Sequence, residues 1–204
     1  MNNFGLVVIG AHSGIWLSSL LDEHKDQNIL LVEPVPYNIA LLKENTAKYK
    51  NITIETSAVS EQNEIKKFYF VKPDAVKKLG KQWASGIGSF DKQHILNHKY
   101  KRFMVTDIDI EEIDVQYLTF SNLMEKYSVS SIDLLQIDVE GAEFQILNSI
   151  NFEKIEIKKI IFEFKHFDGT FKEGPKFKSI KEKLIKFNYQ LKEIDKENIL
   201  AEKN

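Results

Sequence analysis

Residues 132–147 read IDLLQIDVEGAEFQIL, and the order of residue types in that stretch decides the fold. Ile132, Leu134, Leu135 and Ile137 make a short apolar run, which suits a strand buried on both faces of a parallel sheet. Asp138 ends the run. Phe144, Ile146 and Leu147 follow at helical spacing, so Asp138, Glu140, Gly141 and Glu143 occupy a strand-to-helix turn and the first turn of the helix. In open α/β sheets ligands bind beyond the carboxyl ends of the strands, where helix N-termini expose backbone amides. Asp at an N-cap and Glu in a first turn are also ordinary helix-starting devices. A second ligand-like loop near the N-terminus raises this turn above that plain reading.

That loop follows LVVI at 6–9, a compact β-branched run, and reads GAHSG at 10–14. Ile15, Trp16, Leu17, Leu20 and Leu21 then space as one helical face. The next strand, at 28–32, closes on Glu33, with Pro34 and Pro36 ending its pattern. A βαβ unit results, with an acidic residue where nucleoside-binding folds place a carboxylate to accept hydrogen bonds from ribose hydroxyls. Residue 12 is His12 rather than the second glycine of a dinucleotide fingerprint. A side chain there crowds a diphosphate and leaves room for a nucleoside without a 5′ phosphate, which weakens a nicotinamide oxidoreductase reading.

The rest of the chain continues the alternation. Residues 37–49 read as a helix with Ile39, Leu41 and Leu42 inward, 52–56 as a strand leading to Ser57 and Ala58, and 64–71 as an added strand with Phe68 and Phe70 on one face. Residues 72–101 are the least regular, and such connections are usually functional or disordered. His94 and His98 stand four apart there, a metal-pair spacing without any supporting carboxylate pattern, so no metal is expected. Residues 102–118 are strand-like, Thr119 caps a helix, and 157–164 form another buried strand ending near Glu163 and His166. Phe177, Ile180, Leu184 and Phe187 make a helix stripe whose surrounding lysines read as a solvated face. Residues 189–194 and 198–202 close the chain as a hairpin.

Composition bounds the partners. Lys plus Arg is 28 against 30 Asp plus Glu, a formal net charge of -2, so no overall basic field draws nucleic acid or anionic lipid. There is no cysteine, which removes disulfides, thiolate metal sites and any cysteine nucleophile. No apolar run reaches membrane-span length, and the chain opens into a strand without a signal-like pattern, so a cytoplasmic location is expected. With 204 residues and 43% hydrophobic content, one domain over 1–204 is expected, with 72–101 as a lid or substrate segment.

Taken together, GAxxG at 10–14, VEPxP at 32–36 with Leu42 and Asn45, SAVS at 57–60 and LLxIDVEGAE at 134–143 resemble the FkbM family of S-adenosylmethionine-dependent methyltransferases. The last motif is the most specific. Val8 and His12 stand where that pattern usually has Asp and Asn, and Gln136 where it commonly has Lys. The resemblance implies the Rossmann-like class I methyltransferase fold, a mostly parallel seven-stranded sheet with a C-terminal antiparallel hairpin and helices on both faces. It also implies S-adenosylmethionine lying over the glycine loop, with its ribose bound by Glu33.

On that basis Gly10, Ala11, His12, Gly14, Glu33, Pro34, Ser57, Ala58 and Asp138 are expected to bind the cofactor. Asp138 and Glu140 form the edge shared with the acceptor, and His166 or His12 removes the proton, Asp138, Glu140 and His166 being the catalytic set. The expected reaction is O-methylation of a hydroxyl on a sugar, glycan or secondary metabolite. The partner is a small-molecule or glycan acceptor, with no nucleic acid and no membrane insertion, and a homo-oligomer stays open. The alternative is a non-catalytic nucleoside-binding or scaffold protein. A Mg²⁺- or Mn²⁺-assisted transferase using Asp138, Glu140 and His166 is a further variant.

Overall fold

The computed structural model describes residues 2–80, 82–97, 105–139, 141–168 and 173–204. The chain opens with β1 (Asn2–Ile9), a 3₁₀ turn (Ile15–Leu17) running into α1 (Ser18–Glu23), then β2 (Asn28–Val32) and α2 (Pro36–Thr46). Next come β3 (Ile52–Glu55), β4 (Ala58–Ser60), β5 (Glu64–Val71), α3 (Pro73–Leu79), a second 3₁₀ turn (Gln82–Gly86), β6 (Gly88–Ser89), α4 (Lys92–Asn97) and β7 (Ile110–Thr119). The chain then runs through α5 (Phe120–Lys126), β8 (Val129–Ile137), α6 (Glu143–Ser149), β9 (Glu156–Glu163), α7 (Pro175–Lys186), β10 (Tyr189–Glu193) and β11 (Asn198–Lys203).

Seven strands form one sheet in the order β10-β11-β9-β8-β1-β2-β3. β1 runs parallel to β2 and β8, β8 runs parallel to β9, and β11 is antiparallel to both β9 and β10. This is the class I methyltransferase arrangement that the motifs implied. Along β1 the side chains alternate between two buried layers, as a strand covered on both faces must. Val7 and Ile9 join the layer of α5, α6 and α7, whereas Leu6 and Val8 join that of α1 and α2. Each such fully buried aliphatic side chain is worth about 1.5–3 kcal/mol of transfer free energy. Val8, at the position of the usual Asp, is one of them, with no exposed surface.

Strand order reverses between β1 and β8, and their last residues, Ile9 and Ile137, are register partners. The loops leaving both strands therefore open into one crevice.

A second sheet, in the order β4-β7-β5-β6, stands beside this crevice. Phe68 and Phe70 of β5 are buried with Val35, Val115 and Tyr117, while Tyr69 turns to the cluster holding Ala75, Ile87 and Ile95. The stretch that looked irregular thus contributes two helices, a 3₁₀ turn and an edge strand. Two apolar assignments also change. Gly14, at φ 74°, precedes a 3₁₀ turn rather than an α-helix, and Ile15 and Trp16 face outward, Trp16 being 83% exposed. In α2 the buried positions are Asn38, Leu42 and Thr46, at successive fourth residues, and Leu41 is exposed. No helix among the described residues is long and apolar enough to cross a membrane.

Candidate active site

Backbone contact joins the two loops directly. Gly10 has φ 92°, and a Cβ there would stand 1.7 Å from the carbonyl oxygen of Asp138, so only glycine fits. The amide of Asp138 donates to Ile9 O at 3.0 Å, and the amides of Gly10 and Ala11 donate to Val32 O at 3.0 and 2.9 Å. His12 is also left-handed, at φ 51°. Asn and His are both enriched in that conformation among non-glycine residues, which accounts for His in place of the more usual Asn. Asn45, another of the motif positions, donates to Ser13 O at 2.8 Å and ties α2 to the loop.

Glu33 is buried behind the same loop. Its Oε2 accepts from the His12 amide at 2.9 Å, and its Oε1 accepts from the Val35 amide at 3.0 Å and Asn38 Nδ2 at 3.3 Å. Burial pushes its carboxyl above the usual range, opposed by those hydrogen bonds. The side chain therefore fixes the loop and still forms part of the cavity wall. The His12 ring contacts Ser85 Oγ through Nε2 at 2.7 Å and Ser13 Oγ through Nδ1 at 3.3 Å. Burial lowers its pKa, so the imidazole is neutral at pH 7.

On the β8 side Asp138 is exposed, and Glu143 folds back to accept from the amides of Val139 at 2.8 Å and Gly141 at 3.0 Å. One carboxylate oxygen each from Asp138, Glu143 and Glu163 lie within 4.8 Å of one another. His166 Nε2 stands 3.9 Å from Glu163 Oε2, and its ring meets that of His94 edge-on at 6.0 Å.

A cavity of about 340 Å³ opens between the two sheets, within the range of small-molecule sites. Of the anticipated residues it brings together Gly10, His12, Glu33, Pro34, Ser57, Ala58 and Asp138. Ala11 is buried under the loop and Gly14 turns the chain into the 3₁₀ segment, and neither lines the cavity. His166 does not line it either and packs against His94, which does. Glu140 and His98 lie outside the described residues. Trp16, Phe68, Asp91, His94 and Tyr117 are wall residues that the sequence did not mark as site residues. Most of them belong to the second sheet and its helices, and of these the sequence pattern gives a face to Phe68 alone, shared with Phe70 on an added strand.

These features fit a nucleoside. Val35, Ala58 and Phe68 give apolar walls, Glu33 offers a carboxylate beside them, and Ser57 Oγ is buried without a hydrogen-bond partner among the described residues. The chain belongs to the FkbM methyltransferase family: the family model described as "Methyltransferase FkbM domain" matches residues 9–191, which hold both loops. It is an S-adenosylmethionine-dependent methyltransferase. No curated protein matches it in sequence. Among solved structures it is similar to the fibrillarin/Nop5p complex, with 16% identity, 98% of this chain and 70% of that chain covered, and a TM-score of 0.48. A precorrin-6y C5,15-methyltransferase from Geobacter metallireducens shares 11% identity over 100% of this chain and 82% of its own, with a TM-score of 0.47. Aeropyrum pernix fibrillarin with natively bound S-adenosyl-L-methionine shares 13% identity over 98% of this chain and 66% of its own, with a TM-score of 0.45.

Proposed function

We propose that the chain methylates a hydroxyl group on a sugar, glycan or related secondary metabolite. One observation carries the reading: the glycine loop and the Asp138 turn are in contact and bound a single cavity. When bound, S-adenosylmethionine supplies a methyl carbon made electrophilic by its sulfonium. The residues around it have to position and deprotonate. The Gly10 turn, Glu33 and Ser57 hold the nucleoside, and Asp138 stands at the edge shared with the acceptor. Transfer is in-line, so the acceptor oxygen must be held about 3–3.5 Å behind the methyl carbon. A carboxylate or imidazole within reach receives its proton. Asp138 and His94 are wall residues suited to that task, and His166 supports His94 from behind. Carboxylates at Asp91 and Asp138 favour the sulfonium electrostatically.

The mouth supports a sugar-like acceptor. Trp16, 83% exposed, and Phe90, 42% exposed, offer aromatic faces, and Asp91 and Asp138 offer acceptors for hydroxyl groups. Thermal unfolding with S-adenosylhomocysteine and with NAD tests the cofactor site. At a hundredfold excess over Kd a ligand adds about 2.7 kcal/mol, a Tm rise of about 5–10 °C for a chain of this size. The rise is expected with S-adenosylhomocysteine and not with NAD. Transfer of labelled methyl to a glycoside panel tests the acceptor, and Asp138→Asn should lower that rate by about 10²–10⁴ while leaving Tm in place. Methylation of amines but of no hydroxyl rejects O-methylation, and full activity in Asp138→Asn rejects the site.

A further inference from the structure

The wall of the methyl-donor pocket has a feature that the acidic turn and glycine loop do not explain. Two hydroxyls are sealed there without any hydrogen-bond partner among the described residues, Ser57 Oγ and Tyr117 Oη. The residues are 3% and 2% exposed, and both are walls of the same cavity. They come from different parts of the chain. Ser57 lies on the turn after β3, whereas Tyr117 lies on β7 of the second sheet, opposite Ala58 in parallel register.

The surroundings hold both groups in place. Ser57 N donates to Glu55 Oε1 at 2.9 Å, and Glu55 Oε2 is gripped in turn by Tyr127 Oη at 2.8 Å and Lys126 Nζ at 2.5 Å. The Tyr117 ring packs against Phe68 at 6.5 Å between centroids. Burial pushes the Tyr117 phenol well above its ordinary pKa, so it keeps its proton and can both donate and accept. A buried hydroxyl without a partner is destabilising, and phenylalanine or alanine would fill the same space without that cost. Its presence in a ligand cavity marks a group whose partner arrives with the ligand.

A purine suits this slot in shape and polarity, because its faces are flat and apolar while its edge alternates acceptors with an exocyclic donor. We propose that Tyr117, paired with Ser57, reads the polar edge of the adenine ring of the methyl donor and makes the second sheet the source of base selectivity. The proposal rests on the reading of the cavity as the S-adenosylmethionine site.

The test is Tyr117→Phe, which removes one oxygen and no packing. Its unliganded Tm should equal or exceed that of the parent, because no hydrogen bond is lost. Calorimetry should show S-adenosylhomocysteine binding about tenfold more weakly than to the parent. The parent should also prefer S-adenosylhomocysteine to its 6-oxo analogue, S-inosylhomocysteine, and Tyr117→Phe should narrow that preference by a similar factor. A variant that binds S-adenosylhomocysteine as tightly as the parent, or whose unliganded Tm falls, overturns the assignment and leaves the cofactor site standing. A parent that binds neither compound overturns the cofactor site and the base assignment together.

Discussion

Glu143 shows how much one carboxyl in the acidic turn depends on its surroundings. It is 1% exposed, and burial is the main cause that pushes its carboxyl up to about 7, with the charge of Asp138 adding to the rise and the Val139 and Gly141 amides opposing it. Because the folded pKa lies above the unfolded one, the native state holds the extra proton between about pH 4.5 and 7. Stability from this group is therefore complete below about pH 4.5 and is lost as pH rises through about 7, by at most about 3 kcal/mol. Glu143→Gln keeps the oxygen that the amides need and removes the titration. Urea midpoints for this variant should be flatter over that window than those of the parent, and identical slopes would refute the assignment. The glycine loop and Glu33 were readable from sequence because local backbone geometry places them: Gly10 must be glycine, and Glu33 follows the last residue of its strand. Tyr117 and His94 were not readable, since their approach to the cavity depends on how a second sheet packs.

The same division between local pattern and tertiary placement appears along α7. Its buried stripe of Phe177, Ile180 and Leu184 follows from helical spacing and was expected. Its lysines do not all face water. Lys183 Nζ donates to Leu147 O at 3.0 Å, Asn148 O at 2.6 Å and Ile150 O at 2.9 Å, satisfying carbonyls at the C-terminal end of α6. Burial lowers its pKa accordingly. The position was legible only as a lysine at the border of the apolar stripe, because the carbonyls it meets belong to another helix. Lys183→Met should cost about 1–3 kcal/mol in urea unfolding, the price of leaving those carbonyls without their donor. Lys178→Met, on the exposed face, should stay within about 0.5 kcal/mol. Equal effects for the two would place Lys183 back among solvated lysines.

At the scale of the whole molecule, the cavity exists because a second sheet is held against the mouth of the first, by the apolar cluster of Val35 with Phe68 and Phe70 and by polar contacts at Ser85. Its side chain meets His12 of the glycine loop at 2.7 Å, and its carbonyl accepts from Asn38 Nδ2 at 3.0 Å and Tyr37 Oη at 3.3 Å. The loop, α2 and the second 3₁₀ turn are thereby connected through one residue, and the chain from that turn to α4 carries His94 and Asp91 into the wall. Ser85→Ala removes the contact with His12 and leaves the carbonyl contacts intact. Segments of this kind open with free energies well below the global value, so the loss should appear as local opening rather than as unfolding. Amide exchange should quicken over residues 84–97 and stay unchanged in β1, β8 and β9. The affinity for S-adenosylhomocysteine should fall several-fold, because binding must then order a wall that the parent holds ready. Exchange that quickens evenly through both sheets would show instead that Ser85 supports the whole fold and not the closure of this cavity.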